Sequence, residues 1–334
     1  MSVPRILAAT ALGAASVLAI AGCSASPATA PTASAPAASS VTIEDNNGTH
    51  EIKTPPTAVV ATDNRTFQTL SDWGIELKAA AVALMPDSSP YKKDEKILDL
   101  GNHIEPKLET VVAAEPDLII NGQRFASFHD DLVTLVPDAT VIELDPREGK
   151  PFDEELRRQV TVLGEIFGKQ KEAEKLVADF DAAVDRAKDA YQKADKVMAV
   201  NTSGGEIGYI APTVGRTLGP IFDLIGMTPA LEVPEASTNH KGDDISVEAI
   251  ATSNPDWILV MDRDASFSAK EPSFKPAAEI LEGSEALAGV TAVTKKQIVY
   301  MPSDTYLNES IQTYTTFLND LADAFEKSAK GAKG

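Results

Sequence analysis

Apolar and polar positions divide the chain into three regimes. Residues 6–20 form an apolar run behind Arg5, too short to span a bilayer. Residues 24–40 are almost wholly Ala, Ser, Pro and Thr, and with so little to bury they read as a flexible stalk. From residue 41 onward, short continuous apolar runs alternate with stretches of helical period, the arrangement that builds sheets covered by helices. Strands are expected at 59–61, 118–120, 197–200, 257–260 and 298–301, each apolar enough for burial on both faces. An amphipathic helix over 309–327, carrying Tyr314, Phe317, Leu318, Leu321 and Phe325, is expected to close the chain.

Two of these blocks repeat. Residues 108–124 read LETVVAAEPDLIINGQR and residues 247–263 read VEAIATSNPDWILVMDR. Each begins with an apolar residue and a glutamate (Leu108-Glu109, Val247-Glu248) and continues as a short amphipathic helix. Each helix stops at a Pro-Asp pair, an apolar strand follows, and the block ends in arginine, Arg124 or Arg263. A weaker pair supports the first. Val59-Val60-Ala61 leads to Arg65-Thr66-Phe67 and a helix ending near Trp73-Gly74, while residues 197–200 lead to Arg216-Thr217-Leu218 and a helix ending near Ile225-Gly226. Both read as a strand, a loop and a glycine-capped helix.

The fold class that follows is α/β, with two Rossmann-like lobes joined by a long connecting α-helix. The connector spans 151–193, with Leu156, Val160, Leu163, Phe167, Ala173, Leu176, Phe180 and Val184 on one stripe and Gly164 and Gly168 as possible interruptions. The lobes then occupy 41–150 and 194–334. Trp73 and Trp257 lie in apolar blocks and read as core.

Composition narrows the function. The formal net charge is −20, which argues against nucleic acid and against electrostatic adhesion to an anionic membrane. The single cysteine, Cys23, follows Ile20-Ala21-Gly22 directly, and this segment resembles a bacterial lipobox. Residues 1–22 then read as a signal peptide. Cys23 reads as the site of a thioether-linked lipid, and residues 23–40 as the anchored stalk of an extracytoplasmic protein. Without Cys23 the folded part has no cysteine, so its stability rests on burial rather than disulfides.

Candidate chemistry gathers at arginine. In open α/β sheets ligands sit beyond the carboxyl ends of the strands, so the repeat aims Arg124 and Arg263 at one cleft from opposite lobes. Arg216, in a glycine-containing loop before a helix, is a third guanidinium. Three rigid, permanently charged donor forks suit a compact multivalent anion. His50, His103 and His129 are scattered and show no metal-ligand spacing, and no G-x-S-x-G elbow or P-loop appears.

The lipobox, stalk, helical connector and paired LE…PDLII and VEAI…NPDWILV blocks together resemble the class III solute-binding proteins of ABC importers for iron-siderophores, haem and cobalamin. The likeness lies nearest the catecholate-siderophore group, which includes the enterochelin- and petrobactin-type binders. It implies a monomer without enzymatic activity or a resident cofactor, which captures ferric iron as its siderophore complex and delivers it to a permease and its ATPase. By the same resemblance Arg124, Arg216 and Arg263 bind the ligand, and His240 and Tyr306 supply direct iron ligands. Glu109 and Glu248 dock on the permease, although Glu at a helix start is also favoured by the helix dipole. The nearest rival is a haem importer component using His103 or His129 with Tyr209. A lipid-anchored surface hydrolase is the rival from another class.

Overall fold

The computed structural model describes residues 39–331, so the readings on residues 1–38, including Cys23 and its lipid, lie outside the described residues. The first strand, β1 (Ser39–Glu44), already takes in Ser39 and Ser40 from the span read as stalk, and pairs antiparallel with β2 (Thr49–Thr54). The N-terminal lobe continues with β3 (Val59–Ala61), α1 (Phe67–Asp72), β4 (Leu77–Ala80), β5 (Leu98–Asp99) and α2 (Glu109–Ala114). It ends with β6 (Leu118–Asn121), α3 (His129–Leu135) and β7 (Thr140–Glu143). Its sheet is wholly parallel in the order β5-β4-β3-β6-β7.

The connector is two helices rather than one rod: α4 (Phe152–Phe167) and α5 (Gln170–Ala190). Gly168 breaks the run by adopting a left-handed conformation at the end of α4 (φ 65°). The helices then fold back on each other, with Arg157 reaching Asp181 at 2.7 Å. Gly164 does not interrupt α4. It lies where the helices come closest, and a Cβ there would sit 2.7 Å from the Ala173 methyl. The hairpin belongs to both lobes: Leu163, Ile166 and Ala173 join the N-terminal core, while Leu156, Val160, Phe180 and Val184 join the C-terminal one. Each such side chain contributes about 1–3 kcal/mol through its burial.

The C-terminal lobe contains β8 (Lys196–Ser203), β9 (Glu206–Ile210), α6 (Gly219–Ile225), β10 (Thr228–Pro229), β11 (Asp243–Asp244) and α7 (Val247–Ser253). It continues through β12 (Trp257–Asp262), α8 (Ala277–Glu282), α9 (Thr291–Thr294), β13 (Ile298–Tyr300) and α10 (Ile311–Gly331), the closing helix. The sheet runs β11-β9-β8-β12-β13, with β10 beside the start of β8. β8, β12 and β13 are parallel, while β9 turns back antiparallel through Gly204 and Gly205, both at positive φ. The weaker repeat therefore differs between lobes, because an extra hairpin strand separates β8 from α6.

The stronger repeat has a structural basis. α2 and α7 both end in a left-handed residue, Glu115 (φ 46°) and Asn254 (φ 44°), each followed by Pro-Asp. The aspartate then ties down the neighbouring strand. Asp117 accepts from the amides of Thr57 and Ala58 at the entry to β3, and Asp256 accepts from the amide of Lys196 at the start of β8. β6 pairs with β3 and β12 with β8 in parallel register, so both arginine-terminated strands are central. Trp73 and Trp257 are buried, as expected of core residues.

Candidate functional site

The chain beyond the carboxyl ends of these central strands meets between the lobes. β6 runs into a short 3-10 turn carrying Arg124, and β12 delivers Arg263. Arg216 sits in the loop before α6. A turn over Thr305–Leu307, after β13, presents Tyr306.

Tyr306 is the common centre. It is 9 % exposed, and the Arg124, Arg263 and Arg216 guanidiniums lie 4.7, 4.8 and 5.5 Å from its ring centre. Arg124 also crosses between lobes, donating to the Tyr306 carbonyl at 3.1 Å and to Asn64 Oδ1 at 3.2 Å. The His240 ring centre is 6.3 Å from that of Tyr306. The five residues read as ligand-binding from sequence thus form one cluster. His240 is exposed, and its loop is set by Gly208 on β9, where a Cβ would fall 2.0 Å from the Lys241 carbonyl. Only a residue without a side chain lets that loop approach the strand.

The electrostatics favour donor forms on both rings. Burial alone would raise the Tyr306 phenol, but hydrogen bonds and charge from Arg263 and Arg124 prevail and hold it below its ordinary value. Partial desolvation and the surrounding charges of Arg263, Arg216, Lys241 and Arg124 push the His240 imidazole below its ordinary value. Both directions favour the deprotonated rings, which are the forms that bind a cation.

Two residues that sequence reasoning passed over organise the cluster. Glu309, 1 % exposed, meets Arg216 at 3.2 Å and Arg65 of the other lobe at 3.2 Å. It also accepts from Thr217 Oγ1 at 2.7 Å and Gln123 Nε2 at 3.1 Å. Burial would raise this carboxyl, yet the Arg216 and Arg65 charges pull it down to about 2. Arg65 bonds Asp145 as well, at 2.6 Å. Beneath it, Asp63 is buried and pushed up to about 7, first by burial and then by the Asp145 charge. The paired Arg65-Thr66 and Arg216-Thr217 dipeptides were the available signal, since both arginines end on Glu309. Phe267, 50 % exposed, stacks on Arg263 at 4.6 Å and adds an aromatic rim.

The remaining sequence candidates fall elsewhere. Glu109 and Glu248 are exposed in the first turns of α2 and α7. Tyr209 is in the core, its hydroxyl donating to the Leu231 carbonyl, and His129 pairs with Glu143 at 3.3 Å. His103 lies beside Arg124, and burial followed by that charge lowers its imidazole. The haem alternative of His103 or His129 with Tyr209 therefore has no assembled pair of ligands. Among the described residues no group of three or more His, Cys, Asp and Glu forms a metal site, and no helix is long and apolar enough to cross a membrane.

The sequence matches the periplasmic binding protein family over residues 59–305. The chain belongs to that family. It is 27 % identical to the petrobactin-binding protein YclQ of Bacillus subtilis over 85 % of this chain and 86 % of that one. It is 29 % identical to the ferric-anguibactin-binding protein FatB of Vibrio anguillarum, over 69 % and 71 % of the two chains. Among solved structures, the catecholate-siderophore-binding protein VctP of Vibrio cholerae superposes with a TM-score of 0.72, over 85 % of this chain and 99 % of that one, at 23 % identity. The two α/β lobes read from the repeat, and the class III architecture implied by the resemblance, are the fold of this family.

Proposed function

We propose that this protein is the capture component of an ABC importer for ferric siderophores of the catecholate type. The observation that carries the reading is the convergence of Arg124, Arg216 and Arg263 from both lobes on Tyr306, with His240 beside it. Guanidinium forks meet the negative charge of the ferric complex, and Phe267 with the Tyr306 face offers flat surface to catechol rings. The Tyr306 phenol and the His240 imidazole complete the iron's coordination when the siderophore leaves positions open. Names of relatives such as petrobactin- and ferric-anguibactin-binding proteins support the same substrate class. No bond is made or broken in the ligand, and the protein acts by binding and release.

Delivery requires a tether and a docking face. Cys23 is the proposed lipid attachment site, holding the protein within reach of its permease and raising its local concentration there. Glu109 and Glu248, exposed at equivalent places on the two lobes, are the proposed contacts with permease cations.

The test is a titration of purified protein with the ferric complex of a simple bis-catechol, followed by its visible absorption. A saturable shift of the catecholate-to-iron band at micromolar concentration is expected. A flat titration would sink the reading. Tryptophan emission is the poorer probe, since both indoles are core residues.

A further inference from the structure

The two residues proposed to ligate iron are mounted in the same way. Each has its own backbone carbonyl held by a side-chain donor at the carboxyl end of a central strand. Arg124, just beyond β6, donates to the Tyr306 carbonyl at 3.1 Å. Asn201, near the end of β8, donates through Nδ2 to the His240 carbonyl at 3.0 Å. The two donors differ in what else they do. Arg124 also faces the cleft through the Tyr306 ring, whereas Asn201 is 0 % exposed and presents nothing to a ligand.

The arm that carries His240 depends on that buried amide. Within the arm, Ser237 donates its amide and hydroxyl to Asp243, and the Asn239 amide donates to Ser237 Oγ at 3.1 Å. The Lys241 amide reaches Asn239 Oδ1 at 2.9 Å, and the Gly242 amide reaches the Asn239 carbonyl at 2.9 Å. These bonds fix the arm's shape but not its place. One fixed point is the pairing of β11 with β9, where Gly242, at φ 80°, meets Gly208 too closely for a Cβ on either. The other is Asn201. Among the described residues it makes the one side-chain hydrogen bond that reaches residues 237–243 from elsewhere in the chain. Nothing in the sheet itself calls for an amide there. β8 is apolar and buried from Val197 to Val200, and a polar side chain continuing it is desolvated at a cost that a hydrogen bond must offset.

We infer that Asn201 is a positioning residue for the His240 imidazole, acting on the iron through the arm it seats and not through the ligand. The inference rests on the ferric-catecholate reading and deepens it. A seat matters because His240 is exposed, and an imidazole on an unanchored arm pays the entropy of ordering at every binding event. With its carbonyl pinned, the His240 ring stands 6.3 Å from the Tyr306 ring before the ligand arrives. Both protein donors are then in place to enter the positions a tetradentate siderophore leaves open on iron, and the support behind a donor governs how well it binds.

The experiment is a double-variant cycle on the whole protein, read by titration with the ferric bis-catechol complex. Asn201→Leu keeps a similar volume and removes the donor. It should weaken binding roughly tenfold, at the low end of what losing the support of a metal-binding histidine costs. Its catecholate-to-iron band should move toward that of the His240→Ala complex. The combined Asn201→Leu/His240→Ala variant then separates positioning from mere structure. It should bind as His240→Ala alone does, because the two residues act through one imidazole. If Asn201→Leu lowers the affinity of His240→Ala by the same factor as that of wild type, the inference is overturned. Asn201→Ala lacks the donor and adds no bulk, so it carries the same cycle if the leucine variant does not fold. Wild-type binding that His240→Ala leaves unchanged overturns the imidazole as an iron ligand, and this inference with it, while capture of the complex stands. Failure of wild type to bind the complex overturns the ferric-catecholate reading itself.

Discussion

Arg65 and Arg216 occupy equivalent places in the two lobes, and both guanidiniums end on the carboxylate of Glu309. One buried anion thus fixes a binding arginine and joins the lobes behind the cleft. The arrangement commits two Arg216 nitrogens to Glu309, and makes its position depend on a buried carboxylate.

Glu309→Gln should therefore destabilise the protein by about 3 kcal/mol, the usual cost of leaving buried charges without their partner. Thermal unfolding at pH 7 measures this. The pH dependence has a definite sign. A folded value near 2, below the ordinary 4.5, means the stabilisation is complete above about pH 4.5 and is lost as pH falls through 2. The variant should lack that acid loss, so the two unfolding curves should converge at low pH.

Asp63 should behave in the opposite sense. Its folded value is raised to about 7 from 3.8, so the stability it lends is present below about pH 4 and is lost as pH rises through 7. Asp63→Asn should raise the melting temperature at pH 8 relative to wild type, and by clearly less at pH 5. Calorimetry at the two pH values decides it.

Tyr306→Phe keeps the ring that the three arginines surround and removes only the phenol oxygen. The ferric bis-catechol complex should still bind, roughly tenfold or more weakly, a loss of about 1.4 kcal/mol per decade. The shift of its charge-transfer band on binding should disappear. A band shift equal to wild type would exclude the phenol as an iron ligand.

Arg263→Lys retains the charge but loses the planar fork that stacks on Phe267 at 4.6 Å and faces Tyr306 at 4.8 Å. Affinity for the ferric complex should fall by roughly tenfold, with the melting temperature close to wild type. Direct titration and thermal unfolding of the same preparation separate the two effects.

Gly164→Ala acts far from the ligand. The added methyl would press on Ala173 and force α4 from α5, costing about 1–3 kcal/mol by overpacking. Chemical denaturation should show the loss, while affinity for the ferric complex stays at the wild-type value.

Much of this architecture was legible because it is written in a repeat. The helix, Pro-Asp, strand and arginine of residues 108–124 and 247–263 each have a fixed physical task, so the pattern persists where residue identities differ. Strand ends then pointed to Arg124 and Arg263 without further information. Other features gave weaker signals. β9 is short and glycine-containing, so it read as loop although Gly204-Gly205 is a hairpin turn signal. The connector's helical period runs through both helices, and only the backbone conformation of Gly168 shows that the chain reverses. Glu309 was hidden for another reason. A glutamate at the start of an amphipathic helix reads as solvated, and only the fold brings two distant arginines to it.

The α4–α5 hairpin has a consequence for what counts as a part of this molecule. Leu163 and Ile166 complete one core, while Leu156 and Phe180 complete the other. Neither lobe closes its core without the hairpin, so a cut through α4 or α5 strips side chains from one core or the other. Any fragment meant to present half of the cleft must therefore carry the hairpin with it.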